Sequence, residues 1–310
     1  MISIVIPLYN KEKQIKNTLQ SVLGQTFQNF EVIIIDDGST DNSADEVKKI
    51  KEQRIRLVQQ KNSGVSAARN RGIQEARFDL IAFLDAGDNW KPEYLATQYE
   101  LYKKYPQCSV YCCNYEFHHS SGVVTPTLIR KLPFQETNGI LFNYFEVASC
   151  SHPPICSISI MVKKEAIQAI GGFPLGVILG EDLIVWAKLA CSYSIAYNTH
   201  PLAVYNFASQ KELIRPKRKP DINDPVGTLL AELLQHYPDI PYLKEYIAHW
   251  HKMRMVTFVR FGMKSEAYNE FTQITKLINP SKTILFWRCL NLLPLPMIRI
   301  ILNLKALLTK

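Results

Sequence analysis

Neither of the common glycine-based nucleotide fingerprints occurs in this 310-residue chain: there is no GxGxxG string and no GxxxxGK[ST] string. Their absence takes away the usual dinucleotide and P-loop readings. Cysteine is scarce, with seven residues and no CxxC pair. Cys108, Cys112, Cys113, Cys150, Cys156, Cys191 and Cys289 stand mostly among apolar neighbours. They read as buried free thiols, which suits a reducing, cytoplasmic setting. His118, His119 and His152 lack the neighbours of a zinc site. No basic region precedes the apolar residues 2–7, a stretch too short for a signal peptide. A spanning helix needs about 20 apolar residues with few charges. Residues 283–310 come nearest, but they carry Arg288 and Arg299 and are broken by Pro294 and Pro296. Asp and Glu are absent from 276–310, where Lys276, Lys282, Arg288, Arg299, Lys305 and Lys310 stand.

Hydrophobic residues make up 47% of the chain and charged ones 21%, a balance that builds a globular core. The formal net charge is +8, and a second basic cluster falls at Arg215, Lys217, Arg218 and Lys219. Such patches attract phosphates or anionic lipid. The tail reads as an interfacial anchor at the inner face of the cell membrane. The alternative is a helix hairpin packed on the main domain or on a partner in a homodimer. The length allows a large domain at 1–215 and a helical region at 216–310.

Over the first third, apolar strands alternate with helical patterns. Strands are predicted at 2–6, 32–35, 55–58 and 80–84, with Pro7 ending the first. Helices are predicted from Ile15, across 42–53 and across 65–76. Alternation of this kind means βαβ units and a parallel sheet. A helix starts near Lys91-Pro92-Glu93, a strand covers 108–113, and 117–151 is irregular. Another strand at 155–162 and helices at 163–170 and 182–190 follow, with one or two strands in 193–207.

The run Val32-Ile33-Ile34-Ile35 is β-branched and continuous, as expected of a strand buried on both faces. Asp36-Asp37-Gly38-Ser39-Thr40 follows it directly. Ligands of open α/β sheets bind just beyond the carboxyl ends of strands. A helix N-cap at Asp41, Asn42 or Ser43 accounts for part of this turn but not for two adjacent, mutually repelling carboxylates.

Five strings then fall in order: Ser3-Ile4-Val5-Ile6-Pro7-Leu8-Tyr9-Asn10, Asp36-Asp37-Gly38-Ser39-Thr40-Asp41, residues 62–70, Phe83-Leu84-Asp85-Ala86-Gly87-Asp88, and Gly180-Glu181-Asp182. Together they resemble the signature of family 2 of the inverting glycosyltransferases, over roughly residues 1–210. The resemblance implies a GT-A fold, an α/β Rossmann-like, mostly parallel sheet flanked by helices. It also implies a nucleotide-diphosphate sugar donor, UDP-linked, and Mn²⁺ or Mg²⁺ as cofactor. Pro7, Tyr9 and Glu12 would meet the nucleotide and Asp37 its base, with Asp36 as holder of the loop. The backbone N–H groups of Ser63 and Gly64 and of the helix from Val65 would face the diphosphate. Arg69 would either contact the donor or pair with a nearby carboxylate, and Asn70 would brace loops. Asp85 would hold the ribose or the metal's water shell and Asp88 the metal. Asp88 also reads as a turn or N-cap residue. Asp182, with Glu181 as second choice, would be the general base.

One departure is plain: the family commonly has a third-position aspartate where this chain has Gly87. The QxxRW string of processive relatives is missing near Trp250 and Trp287, which favours single additions. The expected task is addition of one sugar to a glycan or lipid-linked acceptor in surface polysaccharide synthesis, with no nucleic acid as partner. The competing hypothesis is a catalytically impaired nucleotide-sugar-binding scaffold. A sugar-phosphate nucleotidyltransferase would need a glycine- and lysine-bearing N-terminal loop that residues 7–13 do not supply. Trp90 and Trp186 are candidates for the cleft or the core.

Overall fold

The computed structural model describes residues 1–207 and 221–308. The basic cluster at 215–219 and Lys310 lie outside them. The chain forms two compact units, Met1–Gln210 and Lys211–Lys310.

The first unit is built on one sheet with the order β3-β2-β1-β4-β9-β6-β10-β5. Its first half is parallel: β1 (Ile2–Leu8) lies between β2 (Phe30–Asp36) and β4 (Leu80–Phe83), and β3 (Ile55–Gln59) flanks β2. β2 is buried at every position, as its unbroken β-branched run requires. β9 (Ile160–Lys163) runs antiparallel between β4 and β6 (Val110–His119). β10 (Ile195–Phe207) pairs parallel with β6, and β5 (Asn89–Trp90) pairs antiparallel with β10. The short strands β7 (Val124–Pro126) and β8 (Asn138–Ile140) add to β6 and β10.

Helices α1 (Ile15–Leu23), α2 (Ser43–Lys48), α3 (Val65–Glu75), α4 (Tyr94–Lys104), α5 (Tyr144–Cys150), α6 (Lys164–Ala169) and α7 (Glu181–Ser192) connect the strands. α3 lies close against β1 because Gly72 has no side chain. A Cβ there would stand 2.2 Å from Val5 Cγ1.

Several boundaries differ from the sequence reading. β1 continues through Pro7, which pairs in register with Ile35. The helix expected over 42–53 stops at Lys48 after six residues. The strand expected at 155–162 begins only at Ile160, after turns at 157–158. The 193–207 segment is a single strand, irregular between Asn198 and Ala203 around Pro201. Proline cannot donate to the ladder, so pairing shifts register there.

The second unit is helical: α8 (Pro225–His236), α9 (Leu243–Phe261), α10 (Lys264–Leu277), α11 (Lys282–Leu290) and α12 (Leu295–Leu308). Its core gathers Met255, Phe258, Val259, Ile274, Trp287, Leu290 and Ile298. The apolar tail is thus partly a packed hairpin on α9 and α10. Its other face leaves Leu292, Met297, Ile300 and Leu304 exposed. Among the described residues, no helix is long and apolar enough to cross a membrane.

Candidate active site

A cavity of about 610 Å³ opens in the first unit at the carboxyl ends of β1, β2 and β4. Pro7 and Tyr9 line it at the end of the first strand and Asp37 just past the second, together with Gly64, Asp85, Gly87 and Asp88. Tyr9 is 47% exposed, a flat face held at a strand end and open to a ligand. The loop after β1 is tied to the loop after β2: Asn10 N–H donates to Ser39 Oγ, and Asn10 Oδ1 accepts from Thr40 N–H at 2.8 Å.

Two adjacent aspartates follow β2, and the structure separates their work. Asp36 Oδ1 accepts from Ser39 N–H and Oδ2 from Gln59 Nε2, so this carboxylate holds its own turn. Asp37 Oδ1 accepts from Gln60 Nε2 and Ser63 N–H, and Oδ2 from Gly64 N–H at 2.8 Å. Asp37 is buried and still lines the cavity. The Ser63 and Gly64 N–H groups, expected to face a diphosphate, are therefore spent on Asp37. Glu12 does not line the cavity. Its Oε2 accepts from Asn42 N–H, while its own N–H donates to Asp41. No side chain caps α2. Asp41 instead accepts from Ser43, at its N–H and its Oγ.

Arg69 on α3 is the organising cation. It is 3% exposed and points into carboxylates rather than into the cavity. Nη2 donates to Asp85 at 2.8 and 3.1 Å, and Nη1 donates to Glu181 at 2.9 Å. Burial works against its charge, but Asp85, Asp182 and Glu181 more than offset that and hold it above the usual range. Of the two roles open to Arg69, the geometry gives the ion pair. Phe173 lies under the guanidinium at 5.1 Å.

Glu181 and Asp182 open α7, preceded by Gly180 in the left-handed region. Asn70 braces the approach to them. Its Nδ2 donates to the Phe173 carbonyl and its Oδ1 accepts from Phe173 N–H. Burial pushes the Glu181 carboxyl up, Asp182 adds repulsion, and Arg69 opposes both. The Asp182 carboxyl is also raised, first by burial and then by Asp85, against Arg69, Leu183 N–H and Ser157. With Glu181 held by Arg69, Asp182 is the less committed of the two. Its Oδ1 accepts from Leu183 N–H at 2.8 Å, and its Oδ2 accepts a long bond, 3.4 Å, from Ser157 Oγ. Asp182 does not line the cavity itself but stands beside Arg69, whose partner Asp85 does.

The loop 85–88 is pinned to α1 by Thr18, whose Oγ1 donates to the Asp88 carbonyl and accepts from Gly87 N–H. Asp88 is buried, and its Oδ1 accepts from Asn206 N–H at 2.8 Å. Burial pushes its carboxyl up to about 7, with Asp85 adding to the shift and Asn206 and Lys11 opposing it. As a metal site this set is poor. Both Asp85 oxygens are engaged by Arg69, one Asp88 oxygen is engaged by backbone, and Gly87 offers no ligand. A second group, Asp224, His251 and Glu270, lies in the helical unit with ligand atoms within 4.8 Å of one another. There Arg254 and His251 each reach Glu270 at 2.6 Å, and Trp250 Nε1 donates to Asp224. Arg254 reaches both carboxylates, Asp224 as well as Glu270, and the group ties α8, α9 and α10 together.

Sequence reasoning passed over Lys11, Gln14, Asn62, Tyr205, Asn206 and Phe207, all of which line the cavity. Lys11 was within reach, two residues beyond Tyr9 in the same strand-end loop. The β10 residues were not, because their approach depends on long-range pairing of β10 with β6. Trp90 and Trp186 are core residues. Every cysteine is free, and Cys150 and Cys289 are exposed rather than buried.

The family description "Glycosyl transferase family 2" matches residues 3–169. Glycosyltransferase GlyA of Streptococcus pneumoniae is 34% identical over 125 residues, 39% of this chain and 18% of its own length. The chain thus spans under a fifth of that curated relative. Among solved structures, S. aureus TarS bound to UDP-GlcNAc is similar with a TM-score of 0.65 at 17% identity, over 94% of this chain and 90% of the other. A mannosyltransferase, PcManGT of Pyrobaculum calidifontis, solved with GDP-Man and Mn²⁺, gives 0.57 at 17% identity, over 94% and 83%. At that identity the likeness speaks for the fold. The matched domain, the sheet order and the cleft at its strand ends lead to one conclusion: the chain belongs to glycosyl transferase family 2 and has the GT-A fold.

Proposed function

We propose that this protein transfers a single sugar, with inversion, from a nucleoside-diphosphate donor to a hydroxyl of a glycan or lipid-linked acceptor, in the synthesis of a surface polysaccharide. The observation that carries this reading is Arg69. One buried guanidinium links Asp85, in the cavity wall, to Glu181 at the start of α7, and so sets Asp182 beside the cavity. Tyr9 stacks on the base, with Pro7 behind it. Asp37 holds the 60–64 loop in place against the nucleotide, and Asp85 faces the ribose. UDP is the preferred nucleotide, as in the TarS complex.

In this reading Asp182 removes the proton of the acceptor hydroxyl as its oxygen attacks the anomeric carbon. The new carbon–oxygen bond forms on one face, and the bond to the diphosphate breaks on the other with its electron pair. A single displacement inverts the anomeric centre. The family resemblance brings Mn²⁺ or Mg²⁺, held by Asp88 and Asp85, but no step above passes through an ion, since those donors fit one poorly. The exposed apolar face of α12, with Arg299 on the same helix, supports peripheral attachment to an anionic membrane, where a lipid-linked acceptor would lie.

The test is incubation of the full chain with a panel of UDP- and GDP-sugars. Release of nucleoside diphosphate from at least one donor, and a rise in melting temperature with that donor, are expected. Binding without any turnover would favour the scaffold reading, which the missing side chain at Gly87 motivates.

A further inference from the structure

Gly87 adopts φ +117°, a conformation that L side chains rarely take. A Cβ built there would lie 3.7 Å from Lys11 Nζ and 3.9 Å from Gln14 Cβ. The space where a third carboxylate would stand is thus faced by an ammonium. The backbone of Lys11 is fixed. Its N–H donates to Ser43 Oγ at 2.7 Å, and its carbonyl accepts from Gln14 and Ile15 N–H at the start of α1. Its side chain enters the cavity and is the only Lys or Arg lining it among the described residues. Three carboxylates line the cavity with it, and each already has a donor partner among the described residues. Asp37 accepts three donors, Asp85 accepts Arg69 at both oxygens, and Asp88 accepts Asn206 N–H. No ion pair to Lys11 occurs within 4 Å among the described residues, so its charge is available to a ligand.

We propose that the Lys11 ammonium does the work of the divalent cation here, neutralising the diphosphate of the donor so that binding and departure need no metal. The inference rests on the glycosyltransferase reading above. When the bond from the anomeric carbon to the diphosphate oxygen breaks, the electron pair stays on that oxygen, and Lys11 offsets the added charge. The acceptor proton goes to Asp182. A charge positioned beforehand is effective because nothing must reorganise as the leaving group forms.

Calorimetric titration of UDP, GDP and UMP into the full chain, in EDTA and again in Mn²⁺, tests the idea. Wild-type affinity for UDP should differ less than threefold between the two buffers. Lys11→Met should weaken UDP at least tenfold in EDTA and UMP much less, and Lys11→Arg should stay within threefold of wild type. Lys13→Met, an exposed lysine outside the cavity, should bind as wild type. Melting temperatures should shift little, because the Lys11 side chain makes no hydrogen bond among the described residues and acts on Asp88 only through its charge. Tenfold tighter UDP binding in Mn²⁺, or a Lys11→Met variant equal to wild type, would overturn the proposal while leaving the glycosyltransferase reading intact. Failure of wild type to bind UDP and GDP in either buffer would remove both.

Discussion

At the scale of single residues the site is a problem of crowded carboxylates. Asp85, Glu181 and Asp182 meet around one cation, Arg69. Removing a partner from a buried ion pair commonly costs 3–5 kcal/mol, because the remaining charges are left uncompensated. Arg69→Met should lose about 3 kcal/mol, the lower end, since Asp85 keeps contact with water. Denaturant unfolding of the variant measures this. Asp182→Asn should lower transfer about a thousandfold or more while UDP binding stays within about twofold, because the base acts only in the chemical step. Near-normal turnover in that variant would take Asp182 out of the role. The base must be ionised to work, and burial raises its pKa. Activity should therefore fall as pH drops through a value above the ordinary aspartate range near 4. Ser157 donates to the ionised form, so Ser157→Ala should move the acid limb of kcat/KM to higher pH, not lower.

At the scale of elements, position is set by close approaches. Gly172 at φ +66° leaves room for Asn70: a Cβ there would stand 2.5 Å from Asn70 Oδ1. Asn70 holds Phe173, and Phe173 packs edge-on against Phe83 and Trp186. Gly172→Ala should cost about 1–3 kcal/mol through strain at positive φ. Amide exchange over 173–182 should quicken, and transfer should fall more than nucleotide binding. Unchanged exchange would mean that the loop is held elsewhere. Much of this level could be read from residue order alone. The β-branched run at 32–35 marks a strand buried on both faces, and alternation with helical spacing marks βαβ units. Pro7 misled because a strand-ending residue was assumed, whereas proline can stay in register with a neighbour when its missing N–H is not needed. The helix after Asp41 ended early because residues 49–53 carry one apolar side chain, Ile50, and so little surface to bury.

At the scale of the whole molecule, two units have separate cores. Trp287 belongs to the core of the second, packed near Met255, Phe258 and Ile298. Trp287→Ala should destabilise that unit by about 3–5 kcal/mol, as large-to-small changes at buried aromatics do. UDP affinity should be retained, since among the described residues the cavity is lined by the first unit. Loss of UDP binding in a variant with an intact first unit, checked by its near-ultraviolet signal, would contradict this. The strands of the parallel half and the acidic residues at their ends are consequences of the chain itself, because burial on two faces and the chemistry of a carboxylate are written in residue type. The partners of those acids are not. Asp37 turned to Ser63 and Gly64, Asp85 to Arg69, and Asp88 to Asn206, across separations of 16 to 118 positions. Which charges were satisfied within the protein, and which, like Lys11, were left to face a ligand, was decided only when distant segments met, since electrostatic compensation depends on distance in space and not along the chain.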